Sequence, residues 1–286
     1  VLLIIEKMYL IGKYMIYQKS RYLLLLLAFM LVGNITYAQF GRVESLSSFD
    51  DRPIHFGFFL GVNAMDFGFR FYPDPISQNP VLQMPANAAI KDKTEQYYRG
   101  RSIRADVDPI SPGFSVGIVS NFRLAEFADL RITPGMSFGS RQLVYNDTIN
   151  QDILSGLGTN GLDEKSYLNI PSTYIDIPIG VRLKGKRYGN LRPYIYLGGT
   201  YRIDLENKRV AERVFHMQKM GAYVDFAMGL DSYLQFFRLS TEFRVSLGVD
   251  NLIDHSVGAN ENRIPYYGFA IERLTSNVFS LVFYFE

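Results

Sequence analysis

The sequence contains no cysteine, which excludes disulfides, thiolate metal sites and cysteine nucleophiles. It does not fix the compartment, because many exported proteins do without disulfides. Histidine is almost as scarce, with His55, His216 and His255 the only three. An excess of one charge is missing too: 30 Lys plus Arg against 28 Asp plus Glu leave a formal net charge of +2. That balance offers neither a polybasic surface nor a solvating acidic tail, and it excludes nucleic acid as a partner. No Gly-rich phosphate loop follows a strand and opens a helix, so no nucleotide cofactor is implied. Beyond residue 38 nothing resembles a membrane helix.

Tyrosine, phenylalanine and glycine are plentiful, at 20, 22 and 24 residues, a composition that favours strands and close turns. Near the start, Lys19-Ser20-Arg21 precede the apolar run 22–32 and the segment Gly33-Asn34-Ile35-Thr36-Tyr37-Ala38-Gln39. A positive flank, an apolar core and small residues at Thr36 and Ala38 are the three parts of a secretory signal, with cleavage expected after Ala38. The run is shorter than the roughly 20 apolar residues a membrane anchor needs. Residues 1–14 read as an upstream extension, since Met15 already begins a signal of normal length. The expected organisation is thus a signal peptide over 1–38 and one domain over 39–286.

In that domain apolar residues recur with period two between turn residues, the pattern of strands. Eight strands are expected: 54–72, 113–124, 129–145, 172–184, 192–205, 222–234, 236–249 and one ending the chain. The fourth is the clearest. Thr173, Ile175, Ile177, Ile179, Val181 and Leu183 alternate with Ser172, Tyr174, Asp176, Gly180 and Arg182, so charge falls on one parity only. The last sets Phe279, Leu281, Phe283 and Phe285 against Ser280, Val282 and Tyr284.

The connections alternate in length. Long polar segments, 73–112, 146–171, 206–221 and 250–275, follow the odd-numbered strands; short turns, near 123–128, 185–190 and 235, follow the even ones. Long loops at one end, with short turns and both termini at the other, form the topology of an eight-stranded antiparallel outer-membrane β-barrel, all-β, with loops outside and turns in the periplasm. A soluble barrel has no reason to sort its loops this way, and would bury the greasy parity instead. Closure is required in hydrocarbon, where an open sheet edge finds no water. Tyr72, Tyr145, Tyr188 and Tyr233, near strand ends, suit interfacial girdles, though ordinary strand enrichment explains them equally well.

On this reading the interior parity carries Arg131, Asp176, Arg182, Arg202, Asp204, Asp225, Asp231, Arg238, Glu242 and Arg244, nearly balanced in sign. Buried charges persist when paired, so these read as a structural salt-bridge network filling a lumen too narrow for a pore. Asp176, Asp204, Asp225 and Asp231, on the three strands before the seventh, are the expected partners of Arg238 and Arg244 across the lumen. Catalysis has little to draw on. His55 falls at a strand start, and His216 and His255 fall in loops with no adjacent Ser or Asp pattern for a hydrolase. Three scattered histidines make a poor metal site. No catalytic residue, metal or cofactor is expected.

The segments Phe56-Gly57-Phe58-Phe59-Leu60-Gly61-Val62-Asn63, Ile175-Asp176-Ile177-Pro178-Ile179-Gly180-Val181-Arg182 and Arg192-Pro193-Tyr194-Ile195-Tyr196-Leu197-Gly198-Gly199-Thr200-Tyr201-Arg202-Ile203-Asp204-Leu205 together resemble the PorT family. These are Bacteroidota outer-membrane barrels, within the wider porin-like superfamily, tied to type IX secretion and, in gliding relatives, to motility. The resemblance implies a non-enzymatic component of protein export, with outer-membrane lipid and secretion-system proteins as partners and no catalytic residues to carry over. The alternatives are a general small barrel with adhesive or membrane-stabilising loops, and an outer-membrane hydrolase.

Overall fold

Alternation with period two sends successive side chains to opposite faces of a sheet, and the strands follow it closely. In a computed structural model, residues 45–46, 48–80, 82–83, 91–92, 95, 105–145, 166–205, 217–253 and 269–286 are described. The expected signal at 1–38, its cleavage point after Ala38, His216, His255 and much of the long connections lie outside the described residues. The strands of the barrel all lie within Leu46–Arg187 and Leu191–Glu286. Ser45 and Tyr188–Asn190 group separately, with the Ser45 amide donating to Asn190 Oδ1 (2.9 Å).

The strands are β1 (Ile54–Phe71), β2 (Ala105–Ile110), β3 (Pro112–Ala125), β4 (Ala128–Ile132), β5 (Gly135–Tyr145), β6 (Ser166–Lys184), β7 (Leu191–Asp204), β8 (Met220–Tyr233), β9 (Arg238–Gly248) and β10 (Ile271–Phe285). All pairings are antiparallel. Two wall positions are each made of two segments. β2 and β3 are interrupted at Ser111, and β4 and β5 at Thr133-Pro134, where proline has no amide to give. The ladder carries on across that second break, since Ile118 donates to Pro134 O (3.1 Å) and Thr133 to Pro178 O (3.1 Å). The ring therefore has eight wall positions, closed where β1 pairs with both β10 and β3.

Three expected boundaries are corrected. β2 and the first residues of β6 and β10 fall in segments expected as loops. Ala105–Ile110 and Ser166–Ile170 both pair with the outer part of β5, so those ladders run on past the alternating apolar stretch. Among the described residues no helix is long and apolar enough to cross a membrane. At the long-loop end the short helix α1 (Pro75–Gln78) leads to buried Asn79 and Leu82, and Asn79 Nδ2 donates to Phe269 O (3.0 Å).

Greasy residues face out. Phe56, Phe58, Leu60, Phe114, Ile118, Ile179, Leu197, Phe226, Met228, Phe243 and Leu281 are all exposed, the arrangement lipid requires and water would penalise. One expected girdle residue departs from this: Tyr233 is buried, its hydroxyl turned inward to Asp50 (2.7 Å). Ile177 stands in the lipid-facing row of β6. Ile177→Arg is expected to lower barrel stability by about 2–4 kcal/mol, against about 0–1 for arginine near the interface, as at Phe236. Folded and unfolded bands on unheated gels across a urea series would show the difference; equal losses would mean the outer face is misassigned.

Candidate functional site

All ten inward charges expected from parity are buried, but their partners are not those the strand order suggested. Glu242 is the hub. Its Oε2 accepts from Arg131 Nη1 (3.0 Å) and the Tyr194 hydroxyl (3.0 Å). Its Oε1 accepts from Arg244 Nη2 (2.7 Å), Arg244 Nε (3.0 Å) and the Tyr284 hydroxyl (3.1 Å). Arg244 thus pairs with the carboxylate two residues away on its own strand, and Arg238 with Glu286 (2.7 Å). Neither forms an ion pair with the aspartates of the preceding strands, a correction with a simple cause: parity tells which face a side chain takes, whereas a long guanidinium also reaches a carboxylate on its own strand, as Arg244 does, or at the end of neighbouring β10, as Arg238 does.

Arg182 pairs with Asp231 and lies 3.7 Å from Asp129, while Lys184 holds Asp129 at 2.7 Å. Asp231 also accepts from Ser240 Oγ (2.6 Å). Towards the long-loop end a hydrogen-bonded belt crosses five strands. Asn63 donates to Ser115 (2.7 Å), Ser115 meets Ser137 (2.9 Å), Ser137 donates to Asp176, and Arg202 Nε closes on Asp176 Oδ1 (2.8 Å). Thr200 donates to Asp225, and Asp204 is buried on the same strand as Arg202.

Each interior guanidinium also lies over an inward aromatic ring. Arg131 stands 4.3 Å from the Tyr284 centroid, Arg182 3.9 Å from Tyr194, Arg202 4.4 Å from Tyr223 and Arg244 4.5 Å from Tyr196. Arginine suits this place, because its flat, weakly hydrated cation stacks on a ring while its edge bonds a carboxylate. Arg141 is wholly buried and forms no ion pair with a carboxylate among the described residues. It lies 4.0 Å from the Phe67 ring and donates to the Tyr174 hydroxyl (2.8 Å). The parity that places Arg131 and Ser137 inward places Asp129 and Arg141 there as well.

The short-turn mouth holds residues no periodicity announced. A 3-10 turn, Phe49–Asp51, lies across it, and Asp50 Oδ2 accepts from Tyr233 Oη (2.7 Å) and Arg192 Nη1 (3.0 Å). Burial pushes the Asp50 carboxyl up, but the Tyr233 hydroxyl and the Arg238 and Arg192 guanidiniums outweigh it and hold the group below the usual carboxylate range. His55 stacks on Phe49 with centroids 4.2 Å apart, and its Nε2 lies 2.7 Å from Phe49 O. Beside this turn opens a cleft of about 530 Å³, walled by Arg123, Glu126, Lys186 and Arg192 among others.

As chemistry this is an arrangement for holding charge. The Glu242 carboxylate is saturated by donors, and the Ser137–Asp176 pair is followed by arginine rather than histidine. Among the described residues no group of three or more His, Asp or Glu is placed to hold a metal ion.

Comparison with solved structures returns outer-membrane proteins. OprG from Pseudomonas aeruginosa is 11% identical, with a TM-score of 0.39, covering 81% of this chain and 91% of that one. The N-terminal β-barrel domain of Pseudomonas aeruginosa OprF is 9% identical (TM-score 0.27; 79% of this chain, 97% of that one). Ail, the attachment invasion locus protein of Yersinia pestis, crystallised with the heparin analogue sucrose octasulfate, is 8% identical (TM-score 0.33; 80% and 96%). Comparison with curated proteins returns no match. Residues 37–254 match the outer membrane protein beta-barrel domain, and with that match spanning most of a closed ring that is greasy outside and charged within, the chain belongs to this family of outer-membrane barrels.

Proposed function

We propose that this protein is a non-catalytic outer-membrane barrel whose interior holds the fold together, and that its work is done at its ends, in adhesion or in stabilising the membrane. The observation that carries this reading is the packed interior: Arg131, Arg182, Arg238, Tyr196 and Tyr284 are all but inaccessible, in a ring just wide enough for side chains to fill. Outer-membrane lipid is its partner along the outward rows. On this reading residues 1–38 are the export signal and 39–286 the barrel domain; N-terminal sequencing of the membrane-inserted protein should begin at Gln39.

A second, finer reading is favoured by the PorT-like strand pair 175–182 and 192–205: a component needed for type IX protein export and, in gliding cells, for motility, with secretion-system proteins as partners. Deleting the gene and following detergent sensitivity, surface attachment and export of type IX cargo in the same cells separates the two. Weakened barrier or attachment with a normal secretome is the expected result. Cargo retained behind an intact barrier would replace this reading with the secretion one, and no change in either would sink both. His216→Ala and His255→Ala are expected to leave every phenotype at wild-type level; a lost phenotype with folded barrel would argue for a hydrolase.

A further inference from the structure

The turn at the short-turn mouth is held as a bound peptide is held, by side chains gathered from five strands. Phe49 lies flat on His55 of β1 and edge-on to Tyr233 of β8, with ring centroids 6.3 Å apart, and the Arg238 guanidinium of β9 stands 4.7 Å over its ring. Asp50 takes the Tyr233 hydroxyl and Arg192 of β7, with Arg238 Nη1 3.6 Å away. Asp51 lies 3.6 Å from Arg123 of β3. An aromatic residue followed by two acids therefore fills an aromatic slot and a basic rim in that order.

Charge in the adjoining cleft shows what the site is built for. Its lining carries five cations, Arg123, Lys184, Lys186, Arg187 and Arg192, against three carboxylates, Asp50, Asp51 and Glu126. Two of those three carboxylates belong to the turn itself. Lys184 is already held by Asp129 (2.7 Å), so without the turn's two carboxylates the wall is four cations against Glu126, a surface made for acid. Lys186 is exposed in that wall and forms no ion pair among the described residues.

We propose that this mouth, which faces the periplasm in barrels of this topology, is a binding site for a peptide segment with an aromatic residue followed by two carboxylates. Phe49–Asp51 occupies it in cis, and a periplasmic protein carrying the same chemistry exchanges with it. A segment tethered through Arg52 and Pro53 competes at an effective concentration of the order of millimolar, so a partner gains the site when the turn withdraws. A phospholipid headgroup would satisfy the cations and leave the aromatic slot without purpose, which is why a peptide is the occupant favoured.

The test uses the full-length protein folded in detergent, with folding checked by heat-modifiable gel migration, and a fluorescent peptide of residues 45–53 followed by anisotropy. The wild type should bind weakly, and Phe49→Ala/Asp50→Asn/Asp51→Asn at least tenfold more tightly. Adding Arg192→Gln to that variant should reverse most of the gain, and a peptide with asparagine at both aspartate positions should not bind. The proposal is overturned if the folded triple variant binds no better than wild type, if the asparagine peptide binds as well as its parent, or if phosphatidylglycerol vesicles displace the peptide while neutral vesicles do not.

Discussion

Glu242→Ala is expected to lower the stability of the barrel by about 3–5 kcal/mol, the usual result of removing one side of a buried ion pair and leaving the other charge behind. The reason is the number of groups that share this carboxylate. Among the described residues Arg244 has no other carboxylate in its ion pairs and would keep the Tyr284 hydroxyl (2.9 Å) and the Tyr196 ring. Arg131 would keep Asn121 (2.8 Å) and the more distant Glu286 (3.5 Å). Arg244→Ala should cost less, because Glu242 retains Arg131 and both tyrosine hydroxyls. The chain has no tryptophan, so the measurement is the folded fraction on unheated gels across a urea series in lipid vesicles. A larger loss for Arg244→Ala than for Glu242→Ala would show that the hub has been wrongly placed.

Gly180→Val should abolish the folded band altogether. Gly180 and Gly198 face each other across β6 and β7, and the Tyr196 ring lies over both. A Cβ at 180 would come within 2.5 Å of Leu197 O, 2.6 Å of the Gly198 Cα and 2.6 Å of Tyr196 Cζ. Two of these three contacts are backbone, so the ladder itself must part. Adding Tyr196→Ala should therefore not rescue it. Gly229 provides the contrast, since the three atoms nearest a Cβ there all belong to the Tyr194 side chain, and Gly229→Ala should regain folding when combined with Tyr194→Ala. Folded Gly180→Val at wild-type yield would refute the steric account.

Which side chains point inward was legible in the sequence, because the repeat in β6 from Ser172 to Arg182 puts every charge on one parity and a closed ring turns one parity into the inside. Which of them touch was not. Arg131 bridges residues 242 and 286, separations that periodicity cannot see. The tyrosines at 194, 196, 223 and 284 carry the inward parity in plain view, yet only the packed interior shows each lying beneath a guanidinium. Ala105–Ile110 escaped because Asp106, Asp108 and Pro109 read as loop; the segment is a strand only because β5 extends far enough to pair with Ala105, Asp106, Val107 and Ile110. The Phe49–Asp51 turn follows no repeat at all, and its place is set by residues as far off as 188 positions, as with Asp50 and Arg238 at 3.6 Å.

The seam at β1 has a kinetic consequence. Phe58 pairs with and stacks on Phe285, their centroids 4.9 Å apart, so one side of the ring is sewn from opposite ends of the chain. Contacts so distant in sequence form slowly, because a long loop must be closed before any of them is rewarded. Until then β1 and β10 each present a bare, aromatic edge, and such edges recruit other strands. The waiting time before that seam closes, more than the strength of the finished wall, should set how much this protein depends on periplasmic holding factors during its passage to the membrane.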